Sequence, residues 1–325
     1  MKNHVEFLDV HEFVGLLERC NPGKEEEKTV SRWATMLLEN GRKTFGALRT
    51  EVLDLRLDKL AQHHPNFAEV IGWIEAELAF AKVAGRGLDF QRLLLVGPPG
   101  TGKTTFGLEL ADVLGVPSEV VAMNQRQAGS FLTGTEQHWA NTQPGAVFRL
   151  LARSQVINPI MVLDEIEKAA KDPRWDPLAG LCTLLERRTA RQFADAALPD
   201  VHLNASHVNW IATANSTEDL SPALLSRFNT FEIRRLTTDE MAALVQRMYA
   251  RLIDENPGVR THVDEQLPAD VSDALVGAME SGRDIDRVLR RILGRALQSG
   301  GRMNVGMMVE MVAVPAAARQ KIGFV

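Results

Sequence analysis

A chain of 325 residues, 45% hydrophobic and 24% charged, can build two or three domains with sizeable cores, and its composition excludes a disordered chain. A net charge of −5 and a pI near 6.0 disfavour a general polyanion binder, so nucleic acid is not the default partner. Cys20 and Cys182 lack metal-ligand spacing and read as reduced thiols, the N-terminus has no apolar core of a signal peptide, and no apolar run would span a bilayer, so a cytoplasmic protein without membrane contact is expected.

Residues 1–62 read as a short helical region broken by "NPGK", Asn21 to Lys24. The stretch from "TVSRWATMLLENG" to "RLDKLAQ" alternates apolar and charged positions at helical spacing. From Pro65, "PNFAEVIGWIEAELAFAKVAG" reads as an amphipathic helix ended by Gly85 and Gly87. The period then changes. "RLLLVG", "SEVVAM", "PIMVLDE", "HVNWIATAN" and "TFEIRRL" are five short apolar runs with helical stretches between them, the pattern of an α/β sheet. After Leu236 the strands stop. Thr238 is the expected N-cap of a helix, further helices follow through "SDALVGAMESGRDIDRVLRRILGRALQSGG", and a last one is expected from about Gly306. The expected division is 1–62, 63–236 and 237–325.

"GPPGTGKTT" has the spacing G-x-x-x-x-G-K-[ST] after an expected strand. Gly97, Pro98, Pro99, Gly100, Thr101 and Gly102 would form a loop open enough for backbone N–H groups to meet phosphate oxygens. Lys103, Thr104 and Thr105 would open the next helix, with Lys103 at the β- and γ-phosphates and Thr104 as a Mg²⁺ ligand. Asp164 and Glu165 end the strand "IMVLDE": the first acid suits the Mg²⁺ shell, the second suits a base that polarises a water for attack on the γ-phosphate. Asn215, at the end of "WIATAN", could orient that water, although such an asparagine alone also suits a turn. Arg227 in "SPALLSRF" and Arg283 in "SGRDIDR" offer planar, permanently charged groups for a phosphate, although either alone would read as a surface ion pair.

With these motifs, about Pro65 to Leu297 resembles the AAA+ ATPases, and within them the ATPase module of Lon proteases. "LLLVGPPGTGKT" and "WIATAN" are shared by many AAA+ proteins. "PGAVFRLLARSQVINPIMVLDEIEK", the "DPRWDP" after it and "LSPALLSRFNTFEI" are closer to the Lon-like branch. The resemblance implies a P-loop NTPase fold with a parallel five-stranded sheet, helices on both faces and a C-terminal helical lid. It implies that Asn215 is sensor 1, that Arg227 is an arginine finger reaching a neighbouring subunit's nucleotide, and that Arg283 is sensor 2 on the lid. It also implies a homo-oligomeric ring, usually a hexamer, and ATP with Mg²⁺ as ligands.

Trp139, with Ala140 after it, falls where Lon-like modules carry the aromatic of a pore loop that grips a polypeptide, and Arg174 and Trp175 offer a second such loop. A flat, apolar, sequence-tolerant surface suits that task. Three departures are visible: the chain stops at Val325 without the family's protease domain, its first 62 residues are too few for the family's N-terminal domain, and "ERRTARQ" replaces a more acidic segment. Asn66 and Phe67 lie where Lon-like modules contact adenine, although a helix-start turn also explains them. The expected function is an ATP-driven protein remodeller without its own protease. The alternatives are a nucleotide switch or loader acting on DNA, and a scaffold stabilised by ATP.

Overall fold

The computed structural model describes residues 4–19, 33, 36–39, 41–90, 92–124, 128–135, 143–169, 177–279, 282–300, 303–304 and 306–307. The chain forms two compact units, Met1–Gly97 with Lys103–Ile233 and Pro98–Gly102 with Arg234–Val325.

The first unit opens with β1 (His4–Glu6), α1 (Val10–Arg19), β2 (Arg42–Thr44), α2 (Glu51–His63) and α3 (Ala68–Val83). It continues with β3 (Arg92–Val96), α4 (Lys103–Leu114), β4 (Ser118–Ala122), α5 (Ala128–Thr133), α6 (Ala146–Arg153) and β5 (Ile160–Asp164). Then come α7 (Pro177–Leu185), α8 (Arg187–Ala190), β6 (Phe193–Asp195), β7 (Leu198–Leu203), β8 (Asn209–Ala214), α9 (Pro222–Leu225) and β9 (Asn229–Glu232).

Five strands make one parallel sheet in the order β4-β5-β8-β3-β9, with Leu94 opposite Ala212 and Thr230, and Val162 opposite Val120 and Ile211. The period of two along each strand divides the apolar side chains between two cores. Leu94, Met161, Leu163, Trp210 and Ala212 face one core, with Phe148 and Leu151 of α6 and Leu181 of α7. Leu93, Leu95, Ile160, Val162 and Ile211 face the other, with Leu57 of α2, Ile74 and Leu78 of α3 and Phe106 and Leu110 of α4. The expected three-layer α/β arrangement is present.

Residues 1–62 depart from the expected all-helical reading. β1 and β2 pair antiparallel, and this small sheet is tied to the main body: Asn204 N–H donates to the Phe7 carbonyl (2.8 Å) and Ile157 N–H to that of Thr44 (2.9 Å). Three-residue strands such as "HVE" and "RKT" are too short to show a period, so pairing partners far along the chain decide them. Lys43 is buried between the Ser154 carbonyl, to which its Nζ donates, and the Phe7 ring, 4.2 Å from its centroid. Burial pushes its ammonium down to about 8. The β6–β7 hairpin is a second element with no sequence signal strong enough to announce it.

The second unit holds α10 (Thr238–Asp254), α11 (Ala269–Ala278) and α12 (Gly282–Gln298), packed around Val245, Tyr249, Leu275, Ile285, Leu289 and Ile292. The N-cap of α10 is Thr237, one residue before the expected Thr238. Thr237 Oγ1 accepts from Glu240 N–H while the Glu240 carboxylate accepts from Thr237 N–H, a reciprocal box that Thr238 has no register to make. The last strand ends at Glu232, so "RRL" lies beyond it, and the tail from about Gly306 falls almost wholly outside the described residues.

Within the first unit, Asn158 joins the segment before α2 to the segment before β3. Its Nδ2 donates to the carbonyls of Gly46 (3.1 Å) and Leu88 (2.6 Å), and its Oδ1 accepts from Gly46 N–H (2.7 Å). A Cβ at Gly87 would lie 2.0 Å from the Gly46 carbonyl oxygen, so only glycine permits this approach. Asn158→Ala should leave buried backbone groups unpaired and lower stability by about 3 kcal/mol, read as a shift in the urea midpoint. An unshifted midpoint would show that the three bonds hold nothing together.

Candidate functional site

The carboxyl ends of β3, β5 and β8 bring the motif residues together. Gly97 follows β3. Its N–H donates to the Ala214 carbonyl (3.1 Å), and a Cβ there would sit 2.2 Å from the Ile233 carbonyl oxygen. Gly100 and Gly102 take φ of 84° and 89°, the left-handed region that glycine occupies without strain, and Thr101 Oγ1 donates to the Pro98 carbonyl (3.0 Å). Lys103 and Thr104 then open α4, whose first-turn N–H groups lack intrahelical acceptors, and Thr105 is exposed.

Lys103 is buried, and its Nζ donates to the Gly97 carbonyl (2.7 Å) and to Asn215 Oδ1 (3.3 Å). Burial lowers its pKa, opposed by the charges of Glu167, Asp164 and Glu165. Asp164 Oδ1 accepts from Thr104 Oγ1 (2.5 Å) and from Thr213 Oγ1 (2.8 Å). Thr213 Oγ1 in turn accepts from Glu165 N–H (3.0 Å), so one hydroxyl joins both acids. Glu165 has φ of 55°, an uncommon conformation for a side-chain-bearing residue. Its Oε2 accepts from Asn124 Nδ2 (2.9 Å) and its Oε1 from Lys168 Nζ (2.5 Å), a bond that raises the lysine's pKa.

Asn215 donates twice to Glu167 Oε1, from its backbone N–H (3.1 Å) and its Nδ2 (2.8 Å). The other oxygen, Glu167 Oε2, is buried and has no hydrogen-bond partner among the described residues. The carboxyl edge of the sheet therefore gathers three carboxylates and two ammonium groups. A hydroxyl and a carboxylate on one point are hard oxygen donors of the kind Mg²⁺ takes, and the orphaned carboxylate oxygen beside a buried ammonium leaves donor capacity unused. These residues fit a Mg²⁺–nucleotide.

Asn124, Thr213, Glu167 and Lys168 were not singled out by the motifs, although Thr213 stands inside "WIATAN" and Glu167 and Lys168 inside "DEIEK". Asn124, two residues beyond β4, carries no local signal.

Arg227 lies elsewhere. It precedes β9 by two residues, and β9 runs parallel to β3 with Asn229 beside Leu93, so Arg227 sits at the amino end of strands whose carboxyl ends hold the glycine loop. Its Nη1 donates to the Ala223 carbonyl (2.5 Å), and its Nε is buried with no partner among the described residues. Arg92 stands near it. Burial lowers the Arg92 pKa, Glu186 opposes this, and Arg187 and Arg227 add to it. Arg283 is the second residue of α12 in the second unit. Trp139, Ala140, Arg174 and Trp175 lie outside the described residues. Phe67 is fully buried, with its ring stacked on Phe106 at 4.2 Å, and Pro65–Phe67 form a short 3₁₀ turn ahead of α3, as the helix-start reading expects.

A parallel sheet with this loop and these acids at its carboxyl edge defines a P-loop NTPase, and residues 93–236 match the model of the ATPase family associated with various cellular activities, AAA. The chain is 29% identical to the Lon protease of Mycolicibacterium smegmatis over 293 residues, covering 88% of this chain and 37% of that protein. It is 28% identical to the mitochondrial Lon protease homolog of Aspergillus fumigatus over 254 residues, 76% of this chain and 23% of that one. The chain thus spans little more than a third of these curated relatives at most. Among solved structures, RuvB of Thermotoga maritima shares the fold with a TM-score of 0.50 at 20% identity, covering 76% of this chain and 68% of that one. Residues 93–236 are similar to the AAA family, and the chain resembles the ATPase module of Lon proteases. Among the described residues, no helix is long and apolar enough to cross a membrane.

Thr213→Val keeps the shape of the side chain but removes the hydroxyl that joins Asp164 and Glu165. It should destabilise the protein by about 1 kcal/mol in a denaturant titration, because the half-buried Glu165 N–H loses its acceptor. Equal stability would mean the bridge contributes nothing.

Proposed function

We propose that this chain is a Mg²⁺-dependent ATPase that works as a homo-oligomeric ring and remodels a polypeptide gripped by the loop bearing Trp139. The observation that carries the proposal is the separation of its parts. Lys103, Thr104, Asp164, Glu165 and Asn215 converge at one end of the sheet, while Arg227 stands at the other. Six residues of strand separate the level of Arg227 from Gly97, roughly 20 Å at about 3.3 Å per residue. That is beyond the reach of an arginine side chain, so Arg227 suits the nucleotide of another copy. A heterologous contact of this kind closes into a ring.

In this reading Thr104 and Asp164 would hold Mg²⁺, which when bound neutralises phosphate charge. Lys103 leaves the Gly97 carbonyl and Asn215 to donate to the γ-phosphate. Asn215, anchored by Glu167, turns its freed Oδ1 to the attacking water. Glu165, released from Asn124 and Lys168, accepts the water's proton. Arg227 of the neighbouring copy donates to the γ-phosphate oxygens as charge builds there, and Arg283 of the lid, within 237–325, is assigned to the same phosphate. Both Glu165 oxygens are hydrogen-bonded, to Asn124 and Lys168, so the base has to exchange partners to act. Lon-like relatives support polypeptide as the substrate. RuvB is described as a Holliday junction branch migration motor, and likeness of fold to it favours a DNA reading only weakly against a net charge of −5.

Glu165→Gln and Arg227→Ala should each lower ATP turnover by at least about 10². Mixed in equal amounts they should recover roughly a quarter of wild-type turnover, because one in four interfaces pairs an intact Glu165 with an intact Arg227. No recovery from freely exchanging subunits would refute a shared site. Trp139→Ala should lose polypeptide-stimulated turnover, measured with unfolded casein, and stimulation equal to wild type would remove the gripping role.

A further inference from the structure

In sequence, Gly134 after α5 and Gly145 ahead of α6 flank Trp139. These two flanks are joined on a buried carboxylate from another part of the chain. Asp195, the last residue of β6 beside the β6–β7 turn, is 0% exposed. Its Oδ2 accepts from Gly145 N–H (2.8 Å) and its Oδ1 from Ala197 N–H (2.9 Å). Ala196 N–H donates to the Thr133 carbonyl (2.9 Å), so the hairpin turn holds both ends.

The contact tolerates no side chain. Gly134 has φ of 88°, and a Cβ there would lie 2.0 Å from Asp195 Oδ1. A Cβ at Gly145 would lie 2.4 Å from Gly134 N. Arg149 secures the exit: its Nη1 donates to the Pro144 carbonyl (2.6 Å), its Nη2 pairs with Glu119 on β4 (3.0 Å), and its guanidinium lies 5.0 Å from the Phe131 ring centre.

We propose that Asp195 is a positioning residue that pins Gly145 to the hairpin turn and so sets how the Trp139 loop is presented to a polypeptide. The proposal rests on the polypeptide-gripping reading. A carboxylate is needed because both oxygens face N–H donors. The isosteric amide of asparagine keeps one acceptor and turns an NH₂ toward a donor. A protonated carboxyl also loses an acceptor.

Burial pushes the Asp195 carboxyl up to about 6, opposed by the N–H groups of Ala197 and Gly145 and by Arg149, the one cation acting on it among the described residues, which is itself shared with Glu119. The charged, pinning form is therefore populated above about pH 6 and lost as the pH falls below it.

The test measures ATP turnover of the full chain against the concentration of unfolded casein from pH 5.5 to 8. At pH 8, Asp195→Asn should raise the half-stimulating casein concentration about tenfold, the size of one charge-assisted hydrogen bond, with the maximal stimulated rate changed less than twofold. Wild type should show the same rise as the pH falls through 6, and Asp195→Asn should show none. Hydrogen exchange of the peptide covering residues 143–148 should speed up in Asp195→Asn at pH 8, which tests the pin without any substrate. If Asp195→Asn matches wild type at pH 8 while Trp139→Ala loses casein stimulation, the role of Asp195 is overturned and the gripping reading stands. If Trp139→Ala responds to casein like wild type, the gripping reading itself fails.

Discussion

A buried lysine must have its ammonium satisfied or the fold pays for its desolvation, and Lys103, 7% exposed, is in that position. Its neighbours answer this in layers. The Gly97 carbonyl and Asn215 Oδ1 accept its hydrogens, Glu167 fixes Asn215 from behind, and Asp164 and Glu165 add charge from the next strand. The carboxyl edges of three strands are thereby bound to one cation. A ligand that draws Lys103 away does more than exchange one hydrogen bond. It releases Asn215 from the lysine, and Asn215 directly follows the central strand β8.

The acids differ in how firmly they are held. Asp164 is fixed by two hydroxyls inside the sheet, whereas Glu165 stands in a left-handed backbone with its carboxylate on partners near the surface, Asn124 and Lys168. A group that only binds and a group that exchanges partners place opposite demands on such anchoring.

Much of this was legible from the sequence, for a definite reason. The glycine loop, the acid pair and Asn215 each sit directly after a short apolar run, so strand recognition alone places them on one edge, and five such runs are the five strands of the sheet. What could not be read is what depends on distant partners. Asn124, Glu167 and Asp195 take their importance from residues 41, 48 and 50 positions away, and no spacing encodes that. The strands β1 and β2 escaped because three residues show no period, and the N-cap of α10 moved by one because two adjacent threonines offer the same chemistry and only Thr237 is in register with Glu240.

The first sixty residues look in sequence like a separate helical preface, yet Asn158 ties Gly46 to Leu88, and the backbones at Gly46 and Gly87 touch where no Cβ fits. This joint lies among three segments of the chain, and each tolerates only the present shape of the other two. A front segment grafted in place of residues 1–62 would seat only where it meets an unbranched backbone at Gly87 and the amide of Asn158.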